Sequence, residues 1–263
     1  MREFFGFGGY TRPAEGFLSW QHLLFVSLLT AGMIALAVIL GRRNSNKSFR
    51  EKNRVLMVTA ILIDSLELCK IVLMCFRNAD AMDWLYNLPL FLCSIQLITI
   101  PLAAFSKGRV QEAALDFVSI FGIVGAILGT YGAGNNYSAY PVLSLDNVVS
   151  GLTHTISGFA SLYILISGMA SMKKRNIPIT FFILTGFCIA AYIANTLLET
   201  NYMFLMAGDG TPYDILYNLL GGSRVFYPIG VIVLFLVYIC IFYQIFFFVR
   251  GRKAKSASAS GNP

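Results

Sequence analysis

Runs of about 18 or more nearly uncharged residues recur along the whole of this chain, and no other feature limits its fold so strongly, because each run can cross about 30 Å of hydrocarbon. Seven runs qualify: roughly 17 to 41, 54 to 76, 84 to 105, 112 to 133, 147 to 171, 177 to 199 and 224 to 249. Lipid offers no partner for backbone N–H and C=O groups, so such runs must be helices, and the lipid-out, polar-in alternation of a membrane barrel is absent. Composition agrees: 57% of the 263 residues are apolar and 13% charged, against roughly 25% charged in soluble domains. The expectation is an all-α polytopic membrane protein, a bundle of seven transmembrane helices in the cell membrane. It divides into an external segment 1–16, a transmembrane domain 17–250 and a basic, disordered tail 251–263.

The basic residues between the runs set the orientation. One side collects Arg42, Arg43, Lys47, Arg50, Lys52 and Arg54, then Lys107 and Arg109, then Lys173, Lys174 and Arg175, then Arg250, Arg252, Lys253 and Lys255; the other has Arg2, Arg12, Arg77 and Arg224. The N-terminus is therefore expected outside and the C-terminus in the cytoplasm. The first run is too long for a removable leader and ends in Arg42 and Arg43, so it is expected to stay as an anchor. The net charge of +7 reflects this bias and suits anionic headgroups at the cytoplasmic face rather than nucleic acid. The five cysteines, Cys69, Cys75, Cys93, Cys188 and Cys240, all lie in the runs, which argues against a disulfide framework. With His22 and His154 the only histidines, neither a metal nor another cofactor is expected.

Polar residues inside these runs need a reason. The second run carries "IDSLELCKIV", with Asp64, Glu67 and Lys70 expected about 15, 20 and 24 Å from the cytoplasmic side. Glu67 and Lys70, three apart, can pair and share the cost of leaving water. Read as one helix, the third run places Asn87 shallow and Cys93 and Gln96 together about 13 to 18 Å deep. The fifth places His154 about 10 Å deep among Thr153, Thr155 and Ser157, and the sixth leaves through Asn195 and Glu199 into Asn201 and Tyr202. Five elements thus deliver polar groups to one outer layer, and intramembrane ionisable residues are functional by default. Glu112 and Asp116 read as flanking a short basic loop. In the fourth run Gly122, Gly125, Gly129 and Gly132 permit close helix approach; packing within the monomer is the main expectation, a homodimer through Gly125 and Gly129 the other.

The order "ELCK", "LPLFLCSI", "LTH" with a following "SLY", then "NYMFL" resembles the bacterial YwaF-type integral membrane family, related to eukaryotic membrane acyltransferases of the transmembrane protein 164 type. That resemblance implies acyl transfer between glycerophospholipids and a shared site of Glu67, Lys70, His154, Asn201 and Tyr202. It also marks a departure: Phe91 stands where the family commonly has a histidine, and Leu90 where the eukaryotic relatives place the acyl-carrying cysteine. The corresponding assignment makes Cys93 the acyl carrier or His154 the base, Glu67 an orienting group and Lys70 or Asn201 the source of positive potential. Asn87, Gln96, Asn195, Glu199, Asn201 and Tyr202 are candidate substrate-binding residues. A non-catalytic binder or transporter of a small polar or lipidic ligand is the alternative. A retinal protein is excluded, because no lysine lies between Arg224 and Arg250.

Overall fold

The computed structural model describes residues 2–170 and 172–259, with side chains described for 3–170 and 172–251. Every regular element among them is helical. The chain divides into two compact units, Met1–Ser171 and Met172–Pro263.

The first unit contains α1 (Trp20–Asn44), α2 (Phe49–Asn78), α3 (Gln96–Phe105), α4 (Gly108–Tyr131) and α5 (Leu145–Ser167). Local chemistry sets their ends. Ser19 and Ser144 cap α1 and α5, and Ser48 with Glu51 forms a reciprocal capping box on α2. The left-handed Gly168 closes α5, with its N–H on the carbonyls of Ile164 and Leu165. α4 is the most enclosed helix and packs along α5. Where a helix neighbour is no more apolar than lipid, contact comes from close approach of small residues. Gly122 meets the Ser157 backbone and Ser161, and Gly158 meets Met33 and Ala126. Near the basic end, Tyr163 donates to the carbonyl of Lys52 at 3.0 Å and accepts from Asn44 at 3.1 Å, which joins α1, α2 and α5.

The second unit contains α6 (Ile177–Leu198) and α7 (Phe226–Ala259). Thr180 and Tyr243 hydroxyls lie 3.3 Å apart between them, and Lys174 sits over the Phe247 ring at 5.8 Å. The connection carries helical turns at Tyr202–Phe204 and Tyr213–Leu219, with Phe204 stacked on Tyr213. The backbone of α7 continues as helix to Ala259, into the segment expected as a disordered tail; residues 260–263 lie outside the described residues.

Among the described residues five helices are long and apolar enough to cross a membrane: Trp20–Asn44, Gly108–Ala139, Leu145–Ser167, Lys174–Leu198 and Phe226–Gly251. α2 has the length, at 30 residues about 45 Å, but is far more charged. The run 84 to 105 is not the single helix expected from its apolarity. A 3-10 turn at Asp83–Asn87 is followed by irregular backbone, and α-helix begins only at Gln96. Pro89 is the reason: it forces Leu88 out of the helical region, to ψ 145°. Pro101 removes one further backbone donor inside α3.

Candidate functional site

Two side-chain-to-backbone bonds fix the register of the first unit at its basic end. Asn53 Nδ2 donates to the Ala104 carbonyl at 2.7 Å, and Gln111 Nε2 to the Ala103 carbonyl at 3.0 Å. Counting up from that level at 1.5 Å per residue, Glu67 lies about 21 Å and Lys70 about 26 Å along α2, while Gly125 lies about 21 Å and Gly129 about 27 Å along α4. Glu67 and Lys70 form an ion pair of 2.6 Å, each side chain 14% exposed. On α4, a Cβ at Gly125 would lie 3.3 Å from Cys93 Cα, and one at Gly129 would overlap the His154 ring. The two glycines thus seat Cys93 and His154 against one helix face, about 6 Å apart along its axis. The close approach permitted by Gly125 and Gly129 is used here inside the chain.

Charge links the same four residues. The Lys70 ammonium acts on both Cys93 and His154, and the Glu67 carboxylate on Cys93. Cys93 is half-buried in the irregular segment ahead of α3. It therefore does not share a helical face with Gln96, as one continuous helix would have required. His154 is half-buried, and its ring makes no hydrogen bond among the described residues.

The remaining candidates are placed differently. Gln96 is fully buried; its Oε1 accepts from Thr99 at 3.0 Å and its Nε2 has no partner among the described residues. Asn87 donates to the Asp83 carbonyl at 3.1 Å, which closes its own turn. In the second unit, Asn195 Oδ1 accepts from the Tyr202 N–H at 2.6 Å and from Thr200 at 3.0 Å, while its Nδ2 donates to the Tyr202 carbonyl at 3.0 Å. Asn201 accepts from the N–H groups of Met206 and Ala207 and donates to the Ala207 carbonyl and Asp209. All four hydrogen-bonding positions of that amide are occupied. Tyr202 is buried at 1% exposure, whereas Glu199 is exposed and left-handed at φ 54°. These residues fold their own connection.

Two features escape a reading of the chain by runs. Asp116, expected beside a loop, is fully buried in α4. Arg77, counted above as a loop charge, makes a two-pronged pair with Asp146 at 2.6 and 2.9 Å; Tyr10 donates to the same carboxylate at 2.6 Å. This triad ties the N-terminal segment to the ends of α2 and α5. The signal was the opposite charge of Arg77 and Asp146 at two run ends expected on the same side. His22 is also spent structurally. Its Nδ1 accepts from the Leu18 N–H at 3.1 Å, which leaves Nε2 to donate to the Thr130 carbonyl at 3.1 Å.

The profile of the TMEM164 family matches residues 17–243. No curated protein and no solved structure matches the chain.

Proposed function

The chain belongs to the TMEM164 family, and from that premise we propose that it transfers fatty acyl groups between membrane glycerophospholipids, with Cys93 as acyl carrier and His154 as general base. One observation carries the reading: Cys93, through its Cα and Cβ, and the His154 imidazole are seated about one helical turn apart on Gly125 and Gly129, in the layer of the Glu67–Lys70 pair. Intramembrane charges of this kind are costly unless used.

In the proposed cycle His154 takes the Cys93 proton and the thiolate attacks an ester carbonyl of the donor lipid. The tetrahedral oxyanion meets the Lys70 charge, which Glu67 orients. Collapse breaks the ester C–O bond; the departing alkoxide takes the proton back from His154 and leaves as a lysophospholipid, with the acyl group on sulfur. A second lysophospholipid then gives its hydroxyl proton to His154 and attacks the thioester. Its new ester leaves, and the proton returns to the thiolate. The reading includes seven crossings with the N-terminus outside, which puts this layer in the outer half of the bilayer.

The test is an acyl-thioester probe on the purified protein, with the labelled residue located by mass spectrometry. Labelling at Cys93 that disappears in His154→Ala is the expected result. Silence of the wild type toward a probe active on a control enzyme overturns it. That outcome favours the non-catalytic binder, the reading to which Phe91 in the family's histidine position lends support.

A further inference from the structure

A groove of about 620 Å³ runs along the first unit between α1, α2 and α5. Its α1 wall extends from Leu28 to Leu40, about 18 Å, close to the roughly 15 Å depth of one leaflet's hydrocarbon. Leu28, Leu36, Val58 and Leu62 line it and are exposed. The two threonines in its wall offer it no free donor: Thr59 donates to the Val55 carbonyl and Thr155 to the Gly151 carbonyl, each at 2.8 Å. The charged group in the lining is Arg54, at the basic end of α2. Midway along, Gly32 leaves open space where a side chain would stand.

An apolar trough one leaflet deep with a cation at its headgroup end fits a chain with an anion at one end. We propose that the groove holds one acyl chain of an anionic phospholipid, with the lipid phosphate on Arg54 and the chain over Gly32. Phosphate is the complement of a guanidinium, and the single positive end fixes which way the lipid lies. The site is independent of acyl transfer. On α5 its wall residues Leu152, Ile156 and Phe159 stand about 140 to 160° around the helix from His154, and Thr155 about 100°.

The test uses the full chain reconstituted into vesicles in which phosphatidylglycerol is the minor component beside phosphatidylcholine, then extracted into mild detergent and weighed intact by native mass spectrometry. Wild type is expected to keep one phosphatidylglycerol through washing. Gly32→Leu places a side chain in the trough, where its Cβ meets no other atom, and should lose the retained lipid. Leu36→Trp obstructs the same trough from a neighbouring position, should one variant fold poorly. Arg54→Gln should keep a lipid yet lower the preference for phosphatidylglycerol about fivefold, the worth of one basic residue at an anionic surface. Retention unchanged in both filling variants, or a wild type that holds the two lipids in proportion to their supply, overturns the proposal.

Discussion

At the scale of single residues, the polar groups separate by whether their hydrogen bonds are already spent. His154 makes none among the described residues, whereas Asn201 uses all four positions of its amide on its own loop. His154→Ala should therefore abolish lipid acyl exchange while leaving the unfolding temperature nearly unchanged, measured with a labelled acyl donor and by thermal melting in detergent. Asn201→Ala should do the reverse. It leaves three backbone groups without their partner, about 1 to 3 kcal/mol for each that stays buried, so melting should fall while the KM of any surviving exchange holds. A KM that rises with no change in melting would return Asn201 to the substrate site. Gly129→Ala tests the seat itself. A methyl group there overlaps the His154 ring, so activity should fall at least tenfold even where overpacking costs only about 1 to 3 kcal/mol of stability.

At the scale of elements, long apolar helices were legible and interruptions were not. α1, α4, α5, α6 and α7 follow from length and apolarity alone. The run 84 to 105 misled because hydropathy does not register backbone: Leu88-Pro89 breaks the helix while the apolar count stays high. The pairing of Glu67 with Lys70 was legible because three-residue spacing is local. The meeting of Arg77 with Asp146 and Tyr10 was not, since it joins groups 69 and 136 residues apart. That triad binds the N-terminal segment to two helix ends, with Arg77 and Asp146 only 10% and 7% exposed. Removing one partner strands the other: Arg77→Ala should cost about 3 to 5 kcal/mol and expose the N-terminal segment to protease. Burial and the Asp146 carboxylate push the Tyr10 phenol above its ordinary 10.0. The neutral phenol is then the form the fold prefers, so its stabilisation is full below pH 10 and is lost as pH rises through the raised value. A melting curve followed into alkali should show that loss in the wild type and lack it in Tyr10→Phe.

At the scale of the whole molecule, the question is whether α2 and the broken segment 83 to 105 cross the bilayer as a pair. Five helices cross on apolarity and length alone, and either five or seven crossings put the termini on opposite sides, so locating the ends decides nothing. The loop between α2 and the 3-10 turn does decide. α2 is about 45 Å long, and its charges have protein to face: Glu67 holds Lys70 in the layer of Cys93 and His154, and Arg77 holds Asp146 beyond it. The irregular backbone of 88 to 95 is similarly tolerable at membrane depth where, at Cys93, it lies against Gly125 of α4. Both elements can then cross, and the loop at Asp80 must lie on the side of the N-terminus. A cysteine placed at Asp80, in a chain whose five native cysteines are replaced, should react with a membrane-impermeant maleimide added to intact cells. A cysteine at Ser45 or Lys107 should react only after the membrane is opened. Reaction of the Asp80 position only in opened cells would leave α2 and its partner on the inner side, reduce the crossings to five and overturn the seven-crossing reading.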